Sequence, residues 1–123
     1  MSTIKVNTLE EATTGGATFF TAKAWVNFNG TGTVAIRDDG NVSSITDGGT
    51  GNYTTNFSNN LSSANYSVTG FSCFFGSSNL PYGLMSMPSN YSITTSSVQT
   101  FTVNSTVVAA LDTALGCVQV INQ

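Results

Sequence analysis

Histidine is absent from the 123 residues. With it go the commonest general base, the usual hydrolytic triads and most transition-metal sites. Charge is scarce as well: Lys, Arg, Asp and Glu make up 7% of the chain, against about 25% in an average soluble domain. Three Lys and Arg face six Asp and Glu, for a net charge of −3. Three scattered cations do not neutralise a run of phosphates, so a nucleic-acid partner is excluded. The longest apolar run, 107–111, is five residues long, where a membrane helix takes about 20, so no helical membrane insertion is expected. The first residues carry no basic-then-apolar leader pattern, and none is expected.

Polarity is carried instead by uncharged groups. Ser and Thr number 35 and Asn 13, beside an apolar share of 40% and an aromatic share of 11%. That is enough apolar surface for one core, and the small net charge does not oppose collapse. The dominant pattern has a period of two. Ala24, Val26 and Phe28 alternate with Lys23, Trp25 and Asn27, which places the two sets on opposite faces of a strand. Asn29-Gly30-Thr31-Gly32 reads as a hairpin turn. Val34 and Ile36 follow, then Asp38-Asp39-Gly40-Asn41 as a second turn, and a short strand from Val42 to Ile45. Tyr53, Thr55 and Phe57 alternate with Asn52, Thr54 and Asn56. Tyr66, Val68 and Gly70 alternate with Ser67, Thr69, Phe71 and Cys73. Further strands are expected at Leu84 to Met87, Val98 to Ser105 and Leu115 to Ile121. Only Val107 to Leu115 has room for a helical turn, and its β-branched pair weighs against one. The expectation is an all-β, antiparallel β-sandwich, with residues 1–18 as an arm and linker and residues 19–123 as the sandwich domain.

Residues 2–11 are too thin to bury Ile4, Val6 and Leu9 alone, and ATTGGAT after them reads as a flexible link. These three side chains either pair with the edge of the domain or pack against other chains; an anchor or oligomer interface is preferred. Trp25 falls opposite Val26 and Phe28, where an indole stacks on a sugar ring or a neighbouring chain, or lies in a covered sheet face at an interface. It joins Ile4, Val6 and Leu9 as an interface candidate. Residues 76–90 break the rhythm with both prolines. Leu80, Tyr82, Leu84, Met85 and Met87 in this stretch are receptor-contact candidates, because irregular segments carry recognition and methionine adapts to its partner.

The run AKAWVNFNGTGTVAIRDDGNVSSITDGGTG from Ala22 to Gly51, continuing as NYTTNFSNNLSSANYSVTG to Gly70, together with STIKVNTL from Ser2 to Leu9, resembles phage tail fibres and the receptor-binding tip domains of related virion appendages. The resemblance covers residues 2–70. It implies a jelly-roll-like distal domain and a homotrimer anchored to other virion proteins by its N-terminal arm. It also implies assembly in the host bacterial cytoplasm and attachment to a host-surface glycan or protein. A capsid or tail decoration or adaptor protein without host contact is the alternative, and a polysaccharide depolymerase the third reading.

No cofactor, metal or catalytic residue is expected. Asp38, Asp39 and Asp47 lack the Asp-x-Asp-x-Asp-Gly spacing of a calcium loop and read as turn residues. Asp39 with Asp47, or Asp38 with Asp47, are the only neighbouring carboxylate pairs for glycoside cleavage, and they lie in turns. Gly30-Thr31-Gly32 and Gly48-Gly49-Thr50-Gly51 are turns, since no Gly-Lys-Ser/Thr comes after them. Cys73 and Cys117 are expected as free thiols in a reducing compartment.

Overall fold

In a computed structural model, residues 21–73, 83–86, 92–104 and 109–121 are described. They form nine strands: β1 (Ala22–Asn29), β2 (Ala35–Gly40), β3 (Val42–Asp47), β4 (Asn52–Phe57), β5 (Ser67–Cys73), β6 (Gly83–Ser86), β7 (Ser97–Asn104), β8 (Ala109–Ala110) and β9 (Leu115–Ile121). All strand pairings are antiparallel, and no helix occurs among the described residues. Hydrogen bonding runs in the order β2-β1-β9-β5-β6-β7-β4-β3, with β8 beside β7. The seam between β5 and β6 is a single ladder pair, Ser72 with Gly83. The path therefore divides there into two layers, β2-β1-β9-β5 and β6-β7-β4-β3, which face each other across the core.

The alternation in the sequence supplies that core. β1 turns Ala24, Val26 and Phe28 inward, β4 turns Tyr53 and Phe57, β7 turns Val98, and β9 turns Val118 and Val120; all are buried. The two layers meet where Phe28 and Tyr53 pack edge to face with ring centroids 5.1 Å apart. Phe57 meets Tyr66 in the same way at 6.1 Å. Gly116 is the cross-strand partner of Phe28, whose ring covers the site where a side chain on Gly116 would stand. An aromatic ring laid over a glycine in this way restores the packing that the missing side chain forfeits.

One expected element is corrected. Asp38-Asp39-Gly40-Asn41 is not a four-residue turn: Asp38, Asp39 and Gly40 are extended and pair with Asn27, Val26 and Trp25. Only Asn41 turns, with a positive φ of 59°, a conformation that asparagine tolerates better than most residues. Its side chain holds the corner. Nδ2 donates to the carbonyls of Lys23 (3.0 Å) and Asn59 (3.1 Å), and Oδ1 accepts from the Asn59 amide (2.8 Å). Since β2 and β3 are the two ends of the hydrogen-bonded path, this one-residue corner joins them covalently. Residues 107–115 hold no helical turn among those described. Ala109 and Ala110 pair with Asn104 and Val103, and the Leu111 amide donates to the Thr102 carbonyl, so these groups bond across to β7 instead of along a helix.

Candidate functional site

Alternation that buries one face of β1, β9 and β5 exposes the other. On that outer face Trp25 pairs with Gln119, Asn27 with Cys117, Thr69 with Gln119 and Phe71 with Cys117. β9 thus forms the floor of a three-strand strip, with the two aromatics on its flanking strands. Trp25 is 40% exposed and Phe71 58% exposed; they are the large hydrophobic side chains left open among the described residues. Between them lies an open groove of about 570 Å³. Its lining carries no charged side chain: Asn27, Thr69 and Gln119 are neutral, and the rest are apolar or glycine. Trp25 leans away from β9 towards β2, over Gly40, its partner across the strand pair.

Beside this face, Arg37 is the extra residue where the β1–β2 register shifts. Its guanidinium donates to the carbonyls of Phe28 (2.8 Å) and Ala114 (2.7 Å), so this cation ties the bulge to the loop before β9.

The outer face of the opposite layer is a ladder of amides and hydroxyls. Asn56 Nδ2 donates to Ser44 Oγ (3.0 Å) and Thr46 Oγ1 (2.9 Å), and Gln99 Nε2 donates to Asn52 Oδ1 (2.8 Å). These groups satisfy one another. By contrast, the side chains of Thr69 and Gln119 at the groove have no hydrogen-bond partner among the described residues.

A buried polar knot closes one end of the sandwich. Asp112 Oδ1 accepts from the Gly51 amide (2.8 Å), and the Tyr53 hydroxyl lies 3.1 Å from the same oxygen and 3.0 Å from the Gly30 carbonyl. The Thr113 amide donates to the Tyr53 oxygen at 3.3 Å. Burial pushes the Tyr53 phenol far above its ordinary range, with Asp112 adding to the rise. Burial also raises Tyr66, whose hydroxyl lies 3.0 Å from both the Thr94 and Ser97 carbonyls. Asp112 had no sequence signal, because its partners Gly51 and Tyr53 lie some sixty positions away.

The three aspartates weighed for calcium serve the backbone. Asp38 Oδ1 accepts from the Asp39 amide, Asp39 Oδ1 from the Val42 amide and Asp47 Oδ1 from the Gly49 amide. Among the described residues no three acidic or sulfur side chains gather into a metal cluster. Asp39 accepts from the Val42 amide at the start of β3 and Asp47 ends that strand, a strand length of about 16 Å at ~3.3 Å per residue, too far for a glycosidase pair.

Cys73 and Cys117 are free and half-buried. Cys117 pairs with Phe71, and Cys73 with Leu115, so the cysteines are diagonal neighbours. Such positions lie ~7–8 Å apart, beyond the usual disulfide span.

Of the expected contact residues, Ile4, Val6, Leu9, Leu80, Tyr82 and Met87 lie outside the described residues. Leu84 and Met85 lie on β6, paired with Val103 and Thr102. Phe71 was not singled out by sequence. Its signal was the one large aromatic on the otherwise polar side of the β5 alternation. Comparison of the chain with family models, curated proteins and solved structures finds no match.

Proposed function

We propose that this chain is a structural protein of a bacteriophage virion, a tail-fibre or knob subunit that attaches the particle to its host surface by non-covalent binding. The resemblance of residues 2–70 supports this reading. The structural observation that carries it is the pair Trp25 and Phe71, held open on a sheet whose other face is the core. In this reading the two rings, which carry large apolar contact area, are the part of the face that meets the host.

In this reading the sandwich is the distal, jelly-roll-like domain. Residues 1–18 are the arm that joins the particle, with Ile4, Val6 and Leu9 packed between copies of a homotrimer. The stretch carrying Leu80, Tyr82, Leu84, Met85 and Met87 adds to the receptor contact. Binding needs no chemistry, which agrees with a chain that has no histidine.

Two measurements test it. Sedimentation equilibrium of the full chain is expected to give a trimer that Val6→Asp disperses without unfolding the domain; a native monomer at micromolar concentration overturns the trimer. Particles lacking the chain are expected to adsorb poorly to host cells. Normal adsorption with fragile particles overturns attachment in favour of a decoration protein.

A further inference from the structure

We propose that Asn29-Gly30 is a self-modification site. Its asparagine loses ammonia and closes to a succinimide when the end of the sandwich around Tyr53 opens, and the closed fold holds the reaction off. This does not rest on the chain belonging to a virion.

The sequence supplies the reactive pair. Asn-Gly occurs once in the chain. The backbone nitrogen after an asparagine can attack that residue's own side-chain carbonyl carbon, and a glycine there leaves the approach open because it brings no side chain and the freest backbone. The Gly30 nitrogen forms a bond to Cγ of Asn29, the bond from Cγ to Nδ2 breaks, and the Gly30 amide proton leaves with the ammonia. Water then adds to either carbonyl of the ring and opens it. One opening gives aspartate. The other gives isoaspartate, in which the main chain runs through the side chain and is longer by its methylene.

The structure readies one partner and withholds the other. Nδ2 of Asn29 donates to the Thr31 carbonyl (2.7 Å), and Oδ1 accepts from the Thr31 hydroxyl (2.9 Å). That hydroxyl draws charge from Cγ and faces the oxygen on which negative charge develops during attack. Both bonds reach only two residues along the chain, so they do not depend on the rest of the sandwich. The nucleophile does. The Gly30 N–H donates to the Thr113 carbonyl at 2.7 Å, and Gly30 is buried. The Tyr53 hydroxyl lies 3.0 Å from the Gly30 carbonyl, and the Tyr53 ring occupies the place of a β-carbon on Gly30.

Asn29 itself is extended and paired with Ala35, whereas ring closure turns the Gly30 nitrogen towards the side chain, out of the strand. Cyclisation therefore waits for the Thr113 bond and the end of β1 to open, a local event in the sense of native-state exchange. It is also irreversible. The longer main chain of isoaspartate moves the Gly30 amide and carbonyl off Thr113 and Tyr53, so a modified chain does not regain its closed end.

The test incubates the full chain in neutral buffer and in urea, then cuts it with trypsin. Lys23 and Arg37 bracket the site, so one peptide carries it. Mass spectrometry reads the exchange of amide for carboxyl, and labelling by an isoaspartyl methyltransferase reads isoaspartate. In urea both products are expected. In buffer the reaction is expected to be at least about tenfold slower, the scale of an opening that breaks a hydrogen bond and uncovers Gly30. Asn29→Ser is expected to abolish the signal, which separates it from Asn27 in the same peptide. Native hydrogen exchange at the Gly30 amide reads the opening itself. Exchange and modification are expected to rise together in Tyr53→Phe, or in urea below the unfolding transition if that variant fails to fold. Modified chains, separated by their added negative charge, are expected to melt below the native chain. No product in urea overturns the proposal, as does a signal that persists in Asn29→Ser. Equal rates in buffer and urea overturn the gate, and so does modification that stays constant while exchange at Gly30 rises. An unchanged melting temperature in the modified chains overturns the loss of the closed end.

Discussion

The indole of Trp25 occupies the space that a β-carbon on Gly40 would fill. The two residues are cross-strand partners on β1 and β2, and the glycine lets the ring lie down on the sheet. The groove wall therefore depends on a residue that does not line the groove.

Gly40→Ala tests this contact. The new methyl collides with the ring, which is half-exposed and free to swing, so the stability cost is small, within about 1 kcal/mol. The position of Trp25 changes instead. A shifted emission maximum with a nearly unchanged melting temperature is the expected result; an emission spectrum identical to the native one would show that the ring does not rest there.

Tyr53→Phe removes the hydroxyl at the centre of the knot formed with Gly30, Asp112 and Thr113. It leaves the Thr113 amide and a carboxylate oxygen short of a partner, at a cost of about 1–3 kcal/mol. Chemical denaturation of the variant is expected to show a lower midpoint at an unchanged slope.

The same burial makes stability fall in alkali. Tyr53 and Tyr66 keep their protons in the folded chain to higher pH than an unfolded tyrosine, which titrates near 10. Above that pH the unfolded state binds fewer protons than the folded state, so the stabilising contribution is complete below about pH 10 and is lost as pH rises beyond it. Phenolate absorbance is expected to show these two tyrosines ionising together with unfolding. Their smooth titration in the folded chain would contradict the buried placement.

Three core hydroxyls, on Thr55, Ser72 and Thr100, are buried without a hydrogen-bond partner among the described residues. Thr55→Val and Thr100→Val keep the volume and remove the unpaired group, so each is expected to stabilise by about 1 kcal/mol. Thermal melts are the check, and a lower melting temperature in both variants would mean that the hydroxyls are bonded.

Gly51→Ala is expected to destabilise by at least 1–3 kcal/mol. Its φ is +69°, a region unfavourable to side chains, and an added β-carbon meets the backbone of Thr102 and Leu111. Gly32, at φ +63° with open space around it, bears only the conformational cost. The Gly32→Ala melt should therefore lie between those of the native chain and Gly51→Ala, and an equal loss in both variants would refute the steric part.

Alternation is a local property, and the sequence alone was sufficient for its consequences. Ala24, Val26, Phe28, Tyr53 and Phe57 were legible as one-sided positions, and the strand from Leu115 to Ile121 was legible end to end. The hairpin turn at Asn29 to Gly32 was legible for the same reason. Pairing is not local. Only the tertiary structure placed β9 between β1 and β5, which sets Trp25 and Phe71, 46 positions apart in sequence, on the walls of one groove. Only pairing with β1 held Asp38 to Gly40 extended and reduced a four-residue turn to the single corner at Asn41. Asp112 belongs with these, since its value to the fold comes from Gly51 and Tyr53 across the sandwich. The physical reason is that side-chain period records which face of a strand meets the core. The neighbour a strand takes is settled by backbone hydrogen bonds and packing between segments that the chain order keeps far apart.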